Sequence, residues 1–156
     1  CDAYLLPVDA DGRNTSVCLS LNTLYKELGN LKSQVCIAFI DACFSGAERG
    51  SNMLASARGV AIKSKQGTPE GKLITFSAAS GDETAYPYIE KGHGLFTYFL
   101  LKKLQETSGN VTLGELGTYV TEMVRQHSIT ENKKLQTPVM KISTSIASDW
   151  RSIKLK

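Results

Sequence analysis

Val35-Cys36-Ile37-Ala38-Phe39-Ile40-Asp41-Ala42-Cys43-Phe44-Ser45-Gly46 reads as a buried strand that ends on chemistry. Its first six residues are apolar without interruption and rich in strand formers, as expected for a strand covered on both faces in a parallel sheet. In open α/β sheets ligands bind beyond the carboxyl ends of the strands, so Asp41 and Cys43 fall where a reactive group belongs. A thiol attacks only as thiolate and needs exposure beside a basic or electropositive neighbour, while small Ser45 and Gly46 let a substrate backbone approach closely. An unreactive Cys in a strand-to-loop turn accounts for the same residues. Cys36, inside the apolar run, reads as a small buried hydrophobe.

Outward from this stretch, strands and helices alternate. Upstream, Tyr4-Leu5-Leu6-Pro7-Val8 is strand-like and 9–14 carries turn chemistry. Ser20 then caps a helix over about 20–31 with Leu21, Leu24, Leu28 and Leu31 on one face. Downstream, residues 47–71 hold no apolar period and read as a long mobile loop; loops of this length are usually functional or disordered. Leu73-Ile74-Thr75-Phe76 is a second buried strand, followed by the small residues 77–81 and the acidic pair Asp82-Glu83. Leu95, Phe96, Phe99, Leu100 and Leu104 describe a helix over about 94–106, and Thr112-x-x-Glu115 is a capping box that opens another through about His127. Trp150-Arg151-Ser152-Ile153-Lys154-Leu155 alternates like an edge or near-edge strand. The class is α/β with a mostly parallel sheet.

The 156 residues suit one domain or part of one, and 42% hydrophobic with 21% charged residues is a globular composition. Eighteen Lys and Arg against 15 Asp and Glu leave a net charge of +3 with no basic stripe, so no nucleic-acid partner is expected. No apolar run approaches the roughly 20 residues that span a bilayer, and no membrane partner is expected. Cys1, Cys18, Cys36 and Cys43 form no C-x-x-C pair and no spacing suited to zinc. The chain begins with Cys1 followed by a strand-like run, which predicts further sequence upstream.

The run Phe39-Ile40-Asp41-Ala42-Cys43-Phe44-Ser45-Gly46 resembles the nucleophile motif of bacterial caspase-like and metacaspase proteases. Tyr4-Leu5-Leu6-Pro7-Val8-Asp9, Phe76-Ser77-Ala78-Ala79-Ser80-Gly81-Asp82-Glu83-Thr84-Ala85 and Gly94-Leu95-Phe96-Thr97 match the same family in order, over residues 4 to about 140. The resemblance implies a caspase–hemoglobinase fold, a three-layer αβα arrangement around a mostly parallel sheet. It further implies peptide-bond hydrolysis through a thioester on Cys43, whose backbone N–H serves the oxyanion hole. The 156 residues are then a single partial catalytic domain that lacks the first strands of its sheet.

A cysteine protease needs an imidazole to deprotonate the thiol and protonate the leaving amine. In caspases that His lies roughly 50 residues before the Cys, and no His precedes Cys43 here. Gly92-His93-Gly94 imitates the expected His-Gly motif on the wrong side of Cys43 and reads as an exposed loop or helix-start histidine. His127 follows Met123 and Val124 on a helix, where packing or a position near the helix C-terminus explains it. The catalytic His is expected from a segment upstream of Cys1, and the 156 residues alone are expected to be inactive or barely active.

By resemblance, Asp41 lines the primary specificity pocket, and a carboxylate there selects a cationic side chain, giving cleavage after Arg or Lys. Caspases that cut after Asp carry Gln at this position. Glu83, Asp82 and Ser77 are further pocket candidates, although a solvated acidic turn explains Asp82 and Glu83 equally well. The loop 47–71 corresponds to a segment that many relatives cut during maturation, and Arg58, Lys63 and Lys65 are its processing candidates. Some metacaspases need calcium, but Asp9 and Asp11 are too thin a site and turn chemistry explains them; no metal and no cofactor are expected. The expected partner is a peptide or protein substrate with a basic residue before the scissile bond. Two rivals remain: a caspase-like module without catalysis, used for assembly or regulation, and a nucleotide-binding α/β domain, which would need a glycine-rich phosphate loop that the sequence lacks.

Overall fold

The computed structural model describes residues 3–5, 7, 15–42, 67–81, 83–146 and 148–156. Strand β4 (Leu73–Ser77) is the centre of the described sheet and every one of its residues is buried. Strand β3 (Cys36–Ile40) runs parallel to it, pairing Cys36 with Leu73 and Ile40 with Ser77. Strand β7 (Val139–Ile142) runs antiparallel on its other side, with Phe76 opposite Met140. The chain is α/β as the alternation predicts, and the described sheet has one parallel and one antiparallel pairing.

The expectation that β3 is covered on both faces needs correction. Its residues are only partly buried and Phe39 is 37% exposed, because β3 is the margin of the described sheet while β4 has a neighbour on each side.

Alternation along β4 sends its side chains into two separate cores. Leu73 packs with Ala3, Leu21 and Tyr25, joined by Leu24, Leu28 and Cys36. Phe76 packs with the helix residues Leu95, Phe96, Phe99, Leu116 and Val120. Phe76 and Phe96 meet edge to face at 4.9 Å, an arrangement that aromatic quadrupoles favour.

The first core is closed by helix α1 (Leu21–Gly29), which follows the short antiparallel pair β1 (Tyr4–Leu5) and β2 (Leu19–Ser20). Ser20 occupies the cap position without a side-chain capping bond, and the Leu21 amide donates to the Ala3 carbonyl at 2.9 Å. Tyr25, not Leu24 or Leu28, is the buried centre of the helix, and Leu31 lies beyond its end and is exposed. Gly29 and Gly71 touch backbone to backbone where α1 ends and β4 is about to begin, and the Lys72 amide donates to the Gly29 carbonyl. Gly71 also has φ +59°, so a side chain there would be strained as well as obstructed.

The second core is closed by α2 (Leu95–Glu106) and α3 (Leu113–Asn132). The capping box is present: Glu115 N–H donates to the Thr112 hydroxyl while the Glu115 carboxylate accepts from the Thr112 amide. Helix α3 runs past His127 to Asn132, where Lys133 ends it in the left-handed conformation at φ 58°. The terminal segment is not an edge strand. Residues Trp150–Ser152 form a turn of 3-10 helix against α3, with the Arg151 guanidinium 4.6 Å from the Trp150 ring, and only Lys154 bridges to Thr112. The alternation there reflects a segment lying along the start of α3, held by bonds from Leu113 and Leu155 amides to Ile153 and Val111 carbonyls. Among the described residues no helix is long and apolar enough to cross a membrane.

Candidate active site

Asp41 follows β3 directly, and its side chain reaches the first turn of α2. Its Oδ2 accepts the Thr97 backbone N–H at 3.3 Å and the Thr97 hydroxyl at 2.5 Å. The cap residue of the helix is Gly94, which has no side chain to cap it, so the carboxylate serves an amide that the helix itself leaves unpaired.

Beside this junction lies a cleft of about 450 Å³, lined by Asp41 and Thr97 together with Pro87, Tyr88, Ile89 and His93. Two-stranded pairing of β5 (Pro87–Tyr88) with β6 (His93–Gly94) builds one side of it, and the connecting turn closes through Gly92 at φ +67°. Tyr88 is braced from behind, its ring 5.0 Å from Tyr98 and 5.9 Å from His127. Ile89 is 84% exposed at the cleft.

A second pair of contacts fixes the segment that leads into this wall. Gln136 is fully buried: its Oε1 accepts the Tyr86 amide at 2.7 Å and its Nε2 donates to the Ala78 carbonyl at 2.8 Å. Next to it, the Thr137 amide and hydroxyl donate to the two carboxylate oxygens of Glu83 at 2.5 and 3.1 Å. Residues 136 and 137 thus hold the connection from β4 to β5 at Ala78, Glu83 and Tyr86.

The four candidate pocket residues separate accordingly. Asp41 lines the cleft. Glu83 is engaged by Thr137 and Ser77 is buried within β4 on the Tyr25 side; neither lines the cleft. Burial pushes the Tyr25 hydroxyl pKa up, with the nearby Thr75 and Ser77 hydroxyls pulling the other way. Cys43 and Asp82, the processing candidates Arg58, Lys63 and Lys65, and the turn residues Asp9 and Asp11 lie outside the described residues. His93 is exposed just before α2, as its position implied, and it shares the cleft with Asp41. His127 packs its ring 4.7 Å from Phe99 on α3.

The family model described as the caspase domain of the C14 peptidases matches residues 1–147. The chain belongs to the caspase-domain family of cysteine peptidases. Its substrates are therefore peptides or proteins. A search of curated proteins finds no match to this caspase domain. Thr97, Pro87, Tyr88 and Ile89 are cleft residues that sequence reasoning missed. Gly94-Leu95-Phe96-Thr97 was legible as a helix start, and a hydroxyl in the first turn of an uncapped helix was the signal that Thr97 would meet an acceptor.

Proposed function

We propose that this caspase domain is the nucleophile-bearing part of a metacaspase-like endopeptidase that cuts peptide bonds after Arg or Lys. One observation supports the reading most: the carboxylate two residues before Cys43 lines a cleft of about 450 Å³, within the roughly 300–1,000 Å³ typical of ligand sites. A carboxylate held in place at a cleft pairs with an ammonium or guanidinium and leaves an uncharged side chain without compensation for its desolvation.

In this reading the Cys43 thiolate attacks the carbonyl carbon after the basic residue, and the resulting oxyanion accepts the Cys43 backbone N–H. Collapse breaks the C–N bond, and the amine leaves with a proton from an imidazolium. Water, deprotonated by the same imidazole, then splits the thioester and returns the thiol. The imidazole is supplied by a histidine outside these 156 residues, within the three-layer αβα arrangement of the family. Arg58, Lys63 and Lys65 are sites for self-cleavage by the same specificity, which intact mass of the active enzyme before and after incubation reads directly; an uncut chain refutes it.

In the enzyme complete with its histidine, Asp41→Ala abolishes turnover of Arg and Lys substrates. Unchanged kinetics on those substrates would remove the pocket assignment.

A further inference from the structure

The contact between Asp41 and Thr97 joins two elements 56 positions apart in sequence. Both donors belong to Thr97, the third residue of α2, and both go to the same oxygen, Oδ2. At 2.5 Å the hydroxyl bond has the length of a charge-assisted O–H···O⁻ bond. Thr97 has little freedom of its own, because Phe96 before it and Phe99 after it are each 1% exposed and the Leu95 amide is tied to the Tyr86 carbonyl at 3.0 Å. A carboxylate anchored to so rigid a point keeps one orientation at the cleft. A free aspartate would have to give up rotamer freedom when a cation arrives.

We infer that Thr97 is a positioning residue for substrate recognition: it orients the Asp41 carboxylate toward a cationic substrate side chain and thereby sets how strongly the site prefers a charged residue over a neutral one. The inference rests on Asp41 being the cation-binding group of the proposed function. A hydrogen bond to a charged group is worth about a factor of ten or more.

The test compares peptide substrates with Arg or its uncharged isostere citrulline before the scissile bond, in the enzyme complete with its histidine. Thr97→Val keeps the shape and the backbone donor but removes the hydroxyl. It lowers kcat/KM for the Arg substrate roughly tenfold, mainly through KM, and leaves the citrulline substrate nearly unaffected, so the Arg-to-citrulline ratio falls. Thr97→Ser restores the ratio to within about twofold. An equal fall on both substrates, an unchanged ratio, or a Ser variant as impaired as Val overturns the role of Thr97. Asp41→Ala serves as the separate control. If it erases the ratio while Thr97→Val leaves it intact, only the Thr97 inference falls; if Asp41→Ala preserves the ratio, the specificity reading beneath it falls instead.

Discussion

Replacing Gln136 by Leu removes two hydrogen bonds and changes little else. The side chain is fully buried, and Leu approximates its shape, so neither a large cavity nor a clash complicates the result. The Tyr86 amide and the Ala78 carbonyl lose the partners they have at 2.7 and 2.8 Å. Each buried backbone group left unpaired costs about 1–3 kcal/mol, so the variant should lose about 2–6 kcal/mol. That is a large part of the roughly 5–15 kcal/mol by which such domains are stable. The single tryptophan, Trp150, gives a fluorescence signal for urea unfolding. The midpoint should fall with an unchanged slope, and the Tyr86 amide should become fast to exchange with solvent. A loss below about 1 kcal/mol with Tyr86 still protected would refute the role of Gln136 as the bracket between β4, the 78–86 connection and the segment before β7.

Glu83→Ala removes both acceptors of Thr137 and should cost about 1.5–3 kcal/mol by the same measurement. Combined with Gln136→Leu the losses should not add, because adjacent residues hold one connection, which a double-mutant cycle in urea reads. Thr112→Ala breaks the capping box of α3 and should cost about 1 kcal/mol in thermal unfolding. The amide and hydroxyl of Thr112 hold the Glu115 carboxyl below the usual glutamate range. A pKa depressed on folding gives stability that is present above the unfolded value and lost as pH falls through the folded one. The first turn of α3 should therefore loosen below about pH 4, and in Thr112→Ala the Glu115 midpoint, followed by NMR, should rise toward its ordinary value.

The parts of the fold that were legible in sequence are those fixed by local rules. Continuous apolar runs marked β3 and β4, the Leu95, Phe96 and Phe99 spacing marked α2, and Thr112-x-x-Glu115 marked the start of α3. Misreadings arose where a distant partner decides the structure. Ser20 is the cap residue of α1 as read, but its side chain makes no capping bond, and the Leu21 amide is met by the distant Ala3 carbonyl. The alternation at 150–155 looked like a strand, but its partner is the surface of α3. The place of Asp41 at the end of β3 was legible because the apolar run stops there. Thr97, Gln136 and Thr137 were not, because their bonds join residues 50 or more positions apart.

The most direct test of the account is covalent trapping. The enzyme complete with its histidine is treated with peptidyl chloromethyl ketones ending in Arg or in Asp, and the adduct is located by peptide mass mapping. The Arg reagent should label Cys43 alone, faster than the Asp reagent, and the labelling should vanish in Cys43→Ser and lose its preference for Arg in Asp41→Ala. Labelling of Cys18 or Cys36 at comparable rates, or of Cys43 without preference for Arg, would contradict it.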